Sequence, residues 1–184
     1  MNMKKLTAIF LPLVMLFILC ACTYESMDTE GGIGYLSGGN GAAAYCFTWD
    51  GDGDNTDIVI PDRLGNKRVK ALGGYYGRGV PCPFFIDVTE RVGQDFIASE
   101  SVDYEQLEDD IGILYFDFDL YLGKNIGSVY SEPRVTVGTV NGERIAYCPR
   151  VYVHCNEENK SFFSEDGRLY YRETGELVDT LIYK

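Results

Sequence analysis

Apolar and polar positions alternate most cleanly over residues 113–122 of this chain. Leu114, Phe116, Phe118, Leu120 and Leu122 fall on one side, and Tyr115, Asp117, Asp119 and Tyr121 on the other. A two-residue period predicts a half-buried strand whose register is costly to slip. Residues 135–140 and 143–147 are β-branched runs separated by Asn141-Gly142. That dipeptide supplies the positive φ values of a type I′ turn, so a hairpin is expected there. Residues 57–60 form a β-branched run closed by Pro61, and 64–67 read as a turn. Residues 68–72 alternate, which puts Val69 and Ala71 on one side. Further short strands are expected at 44–49, 151–155, 161–163, 168–171 and 177–183, with turns at Asp166-Gly167 and Thr174-Gly175. The best helix candidate is 101–110, anchored by Val102 and Leu107. Its acidic end, Glu108-Asp109-Asp110, opposes the helix dipole, so one or two turns are the limit. The expected class is mainly β, with at most one or two short helices.

The N-terminus carries a different pattern. Lys4 and Lys5 precede an apolar run over 6–21 that contains Pro12 and is followed by no basic cluster. The run is shorter than the roughly 20 residues a membrane span needs. It fits a secretory signal over residues 1–21. Its end, Leu19-Cys20-Ala21-Cys22, resembles a bacterial lipobox. There the last cysteine's sulfur receives a diacylglycerol and the peptide is cut just before it. Cys22 suits this better than Cys20, because small Ala21 precedes it where bulky Leu19 precedes Cys20. The expectation is a chain lipidated at Cys22 on the outer, extracytoplasmic face of the bacterial cell membrane. Residues 23–41 hold six glycines and three acids. Such a stretch is expected to be a flexible tether over 22–41, with a single β-rich domain over 42–184.

Charge narrows the partners. Removal of 1–21 takes two lysines and no acids, leaving 14 basic against 28 acidic residues, a balance of −14. Such a surface repels nucleic acid and anionic headgroups, so the expected membrane link is the lipid anchor alone. Export permits disulfides, and Cys46, Cys82, Cys148 and Cys155 are the candidates, with three possible pairings. Buried free thiols are an equal expectation. A single histidine and no Cys-x-x-Cys argue against zinc.

Three clusters have the residue types of a chemical site. Asp50, Asp52 and Asp54 copy the first ligands of a calcium loop, but Pro61 stands where a bidentate glutamate is required. The preferred reading is a solvated turn, and no metal or cofactor is expected. Asp117 and Asp119 lie roughly 7 Å apart on one strand face. They have the chemistry of a glycosidase pair, yet there is one tryptophan, Trp49, to line a sugar cleft. Two solvated aspartates are the simpler expectation. His154 lies between Val153 and Cys155 without a nucleophile motif and is expected to be structural. Fourteen tyrosines accompany the one tryptophan. Tyr115, Tyr121 and Tyr152 are expected on outer faces, where tyrosine offers apolar area with a polar tip.

The segment Asp57-Ile58-Val59-Ile60-Pro61-Asp62, followed by Gly65-Asn66-Lys67-Arg68-Val69-Lys70-Ala71-Leu72-Gly73, resembles the repeat of BspA-like bacterial surface leucine-rich-repeat proteins. A second match runs through Val151-Tyr152-Val153, Asn159, Phe163-Ser164, Asp166 to Tyr170 and Leu177-Val178. A third, more divergent copy is Leu120 to Ile126. The chain departs from the repeat at Tyr75 to Pro81 and over 84–112, and keeps no regular period. The stretch Gly73 to Pro81 is similar to one in lipoproteins of gut-type Gram-positive bacteria. The resemblance implies a short, irregular β-solenoid or leucine-rich-repeat-like domain. It also implies surface display and binding of a protein or glycan without catalysis. The alternatives are a secreted hydrolase using Asp117 and Asp119, or a calcium-stabilised structural module.

Overall fold

A computed structural model describes residues 24–49, 56–88, 97–108 and 110–184, with the side chains of 97–99 excepted. The chain is mainly β. In order, the strands are β1 (Ser26–Glu30), β2 (Ile33–Gly38), β3 (Gly41–Thr48), β4 (Asp57–Val59), β5 (Arg63–Leu64) and β6 (Lys67–Leu72). Then come β7 (Gly74–Tyr76), β8 (Val80–Cys82), β9 (Phe85–Asp87), β10 (Ile97–Asp103) and β11 (Gly112–Leu122). The rest are β12 (Ser128–Val129), β13 (Arg134–Val140), β14 (Glu143–Cys155), β15 (Phe162–Glu165) and β16 (Arg168–Tyr171). The helix candidate over 101–110 reduces to one 3-10 turn, Tyr104–Gln106, capped by the Asp103 carboxylate on the Glu105 N–H.

Two sheets make the body. The first runs β1-β2-β3-β6-β12 and the second β10-β13-β14-β11-β4. In the second, β4, β11 and β14 are parallel, with Asp57, Asp119 and Tyr152 at one level and Ile58, Leu120 and Val153 at the next. In the first, β3, β6 and β12 are parallel. The main core lies between the sheets: Ile33, Tyr35, Ala42, Ala44, Val69 and Leu72 from one, Ile58, Phe118, Leu120, Leu122, Val151 and Val153 from the other. A second cluster, Val135, Val137, Ala146 and Cys148, lies on the far side of the second sheet under Tyr104 and Leu107. A third, Leu36, Ala43 and Ala71, lies on the far side of the first sheet under Tyr24, Tyr45, Tyr76 and Cys82.

The turns between stacked strands are tied to one another. Asn159, buried, donates from Nδ2 to the carbonyls of Gly123 and Ile126. Its Oδ1 accepts from the N–H groups of Ser161 and Phe162. One amide thus satisfies four backbone groups on two levels, which a buried polar side chain must do to avoid a desolvation penalty. Asn125 donates to Asp62 at 3.2 Å, joining the next pair of turns.

The strand over 113–122 has the expected inner face, except that Leu114 is exposed near the sheet's end. The hairpin over 135–147 also forms, with Asn141 at φ 52° and Gly142 at φ 85°. Its second strand does not stop there. It continues through Pro149 to Cys155, because pairing with β13 ends at Tyr147 and a proline beyond that point removes no bond from that neighbour.

Three expectations are corrected. The flexible tether over 22–41 is replaced, from Ser26 onward, by β1 and β2, and folded structure begins before residue 42. Ile33, Tyr35 and Leu36 bury against the sheets, enough apolar area to order a glycine-rich stretch. Val69 and Ala71 face opposite sides, since a register shift against Ala42 and Ala43 inserts Lys70 as an extra residue. The strand expected over 177–183 appears as single bridges at Leu177 and Tyr183.

Candidate functional site

The outward face of β11 and β14 brings together side chains far apart in sequence. Parallel pairing sets Asp117 beside Arg150 and Tyr121 beside His154. Because side chains alternate, Tyr115, Asp117, Asp119 and Tyr121 project outward together with Arg150, Tyr152 and His154. The row spans about 20 Å at ~3.3 Å per residue.

Its members hold one another. Arg150 donates Nε to Asp117 Oδ1 at 2.8 Å and Nη2 to Oδ2 at 3.0 Å, a two-pronged contact. The same guanidinium lies 4.2 Å from the centre of the Tyr115 ring. Lys184 Nζ stands 3.5 Å from Asp117. His154 Nε2 lies 2.7 Å from Asp119 Oδ1, and the His154 ring stacks on Tyr121 at 4.4 Å between centroids. Tyr152 leans on His154 at 5.1 Å. Behind it, Gly167 has φ +75°, and a Cβ there would fall 2.3 Å from the Tyr152 ring. The β15–β16 turn therefore supports Tyr152 from one side. Tyr115 and Tyr152 are exposed all the same.

One carboxyl of the row is held ionised. The hydrogen bond from Arg150 holds the Asp117 carboxyl below its ordinary range, outweighing the opposing effect of burial. A carboxyl kept ionised in this way does not donate a proton near neutral pH. The Tyr104 phenol is pushed up to about 12, first by its hydrogen bond to Tyr115 and then by burial. The face is thus an ordered array of charged and aromatic groups.

A second feature is a cleft of about 430 Å3 near the C-terminal segment, with Phe84, Val88, Tyr147 and Leu181 on its walls. Four of its polar residues are engaged with one another: Ser131 donates to Thr180, and Arg134 donates to the Ser101 hydroxyl. Neither Asp117 nor Asp119 lines it.

Of the residues singled out from sequence, Cys22, Asp50, Asp52 and Asp54 lie outside the described residues. Cys46, Cys82, Cys148 and Cys155 are free thiols in this structure. Burial pushes the thiols of Cys46 and Cys148 up to about 11. Cys148 and Cys155 point to opposite sides of β14, into different clusters. Among the described residues, no three His, Cys, Asp or Glu side chains converge as a metal-binding group. His154, expected to be structural, stands half-exposed on the outer face and contacts Asp119. Sequence reasoning missed Arg150 and Lys184 altogether. The parity of β14 would have put Arg150, Tyr152 and His154 on one side, but nothing local says which strand they meet.

No protein-family model, no curated protein and no solved structure matches this chain.

Proposed function

We propose that this chain is a lipid-anchored, non-enzymatic protein of the bacterial cell surface, and that it binds a protein or glycan partner through the outward face of β11 and β14. The observation that carries this is the row of Tyr115, Arg150, Tyr152, His154 and Tyr121, held in register by two long parallel strands. Tyrosine and arginine supply most of the energy of many binding surfaces, and a row already fixed by its neighbours loses little entropy on binding. Arg150 engages both oxygens of Asp117 and His154 engages Asp119, so the two carboxylates are tied to separate partners, which favours this reading over a hydrolase that uses them as a pair.

We further propose that the architecture is a short, irregular β-solenoid of two or three stacked coils, as the resemblance to BspA-like repeats implies. Support comes from the parallel register of β4, β11 and β14, the very segments that carry the resemblance. The turn contacts Asn125–Asp62 and Asn159 with Gly123 and Ile126 link successive coils. Stacked units of this kind bury a continuous core between coils.

The test is a glycan array and a surface-extract pulldown with the purified mature chain, compared with a Tyr115→Ala/Tyr152→Ala variant. Binding should fall about tenfold or more in the variant while its melting temperature stays close to wild type. Binding untouched by the double substitution would place the site elsewhere. Hydrolysis of an array glycan, abolished by Asp119→Asn, would overturn the non-enzymatic reading. Mass spectrometry of the membrane form should find a diacylglyceryl group on Cys22, absent from Cys22→Ala.

A further inference from the structure

We propose that the outward side of the first sheet, capped by the β7–β8 hairpin, docks on the outer leaflet of the lipid bilayer and fixes the domain's orientation. The inference rests on the reading of Cys22 as the lipidated residue.

The argument starts from chain length. Tyr24 is two residues past Cys22, and two peptide steps reach at most about 7 Å. Tyr24 has no slack of its own. Its N–H donates to the Tyr75 carbonyl at 3.2 Å, and its carbonyl accepts from Gly77 at 2.8 Å. Its ring lies against Gly74, where a Cβ would come within 2.8 Å. The chain is therefore sewn to β7 immediately after the proposed acyl group. Lipid chains inserted in the bilayer would hold this hairpin at the surface, in place of a long tether that lets the domain wander.

The surface near that point has the chemistry of a membrane interface. Val80 is 56% exposed and Phe85 48%; Tyr75, 48% exposed, lies on the other face of the hairpin from Val80 and stacks on Tyr130 at 5.2 Å. Arg78 stands at the turn between β7 and β8, within Gly77-Arg78-Gly79. Phe85 packs on Tyr45, which belongs to the cluster on this side of the sheet. Met27, 45% exposed, pairs across β1–β2 with Leu36 of the same cluster, so it shares that face. Asp28 and Glu30 of β1 alternate to the other face, opposite Tyr35 and Ile33 of the main core. Tyrosine with aliphatic and aromatic neighbours is suited to the headgroup boundary, where one end of the ring is apolar and the other wet. The acidic chain gains nothing from anionic headgroups, so apolar insertion beside the lipid anchor is the attractive part.

The orientation has a consequence for the binding face. The main core separates the two sheets, and the row from Tyr115 to His154 lies on the far side of the second. Docking of the first sheet turns that row away from the membrane.

The experiment uses the full-length protein, purified with its lipid and reconstituted in phosphatidylcholine vesicles whose acyl chains carry bromine near the headgroup end. Tryptophan is introduced as Val80→Trp, Phe85→Trp or Tyr115→Trp. The native Trp49, 8% exposed in the core, is the common background. Each variant is first matched to wild type by thermal melting, and two positions on the docking side guard against one of them failing to fold. Emission from Val80→Trp or Phe85→Trp should fall about twofold relative to unbrominated vesicles, and that from Tyr115→Trp should not. Docking-side probes left unquenched on a protein that floats with the vesicles and carries the diacylglyceryl mass would overturn the docking and leave the anchor standing. Quenching of Tyr115→Trp alone would invert the orientation. A mature protein whose mass shows no lipid on Cys22 would overturn the anchor and the docking with it.

Discussion

On the inward face of β11 and β14, Phe118, Leu120, Leu122, Val151 and Val153 are each at most 3% exposed. One residue along the same strands, the side chains of Asp119 and His154 are 42% and 39% exposed. The two faces share a backbone and a register, yet they contribute differently. Inward, each side chain contributes by leaving water and by filling a space that nothing else fills. Outward, the groups satisfy one another in pairs that water could replace at little cost. Stability should therefore respond to the inner face, and the proposed binding to the outer one.

The sharpest test of that contrast is Phe118→Ala. The ring is 1% exposed and meets Trp49 and Phe47 edge-on. Its loss should cost about 3–5 kcal/mol in urea unfolding, a large share of a small domain's stability. A cost below that of the outer-face variants would invert the assignment of faces.

Next comes Asn159→Ala, which leaves two carbonyls and two N–H groups without their partner. A loss of about 3 kcal/mol is expected, since buried polar groups left unpaired are expensive. Asn125→Ala, on an exposed contact, should change the same melt little. Equal effects from the two would mean that Asn159 does not join the turns it bonds.

Gly73→Ala probes the point where β6 hands over to the hairpin. Gly73 has φ +65°, and a Cβ would fall 2.0 Å from the Tyr130 carbonyl oxygen. The expected cost is about 2 kcal/mol, with the β7–β8 hairpin losing hydrogen-exchange protection before the second sheet does. Uniform loss of protection would show that the two sheets open as one unit.

The smallest effect belongs to Asp117→Asn, below about 1 kcal/mol at neutral pH because the pair is partly solvated. Its sign with pH is definite. Arg150 depresses the folded pKa of Asp117, so the pair's stabilisation is complete above the unfolded carboxylate value of about 4. It is lost as pH falls through the lower folded value. Wild type should exceed the variant at pH 7, and their melting temperatures should converge on acidification towards about pH 2. A gap that widened in acid would mean that Asp117 is held protonated.

Much of the fold was legible along the chain. The alternation over 113–122 identified the buried faces of Phe118 and Leu120, because a strand exposes its period locally. Asn141-Gly142 marked its turn because the backbone conformation there is a property of those two residues. The glycines of 31–41 misled, because low apolar content averaged over a window hid Ile33, Tyr35 and Leu36. The bulge at Lys70 also escaped, since it answers to the spacing of the neighbouring β3.

The outer face of β11 and β14 was legible only in part. Which residues point outward follows from parity, and Tyr115 and Tyr152 were read correctly on that basis. That Asp117 meets Arg150, 33 residues away, and Asp119 meets His154, 35 away, depends on a parallel pairing that no local pattern encodes. Over 113–122 and 135–147, strand, face and turn are set by short-range sterics and by the period of apolar side chains, so the sequence alone determined them there. Partner strands, the satisfaction of Asn159 and the separation of the two outward faces depend on which apolar surfaces meet. Only the closed core, in which all those surfaces leave water together, decided that.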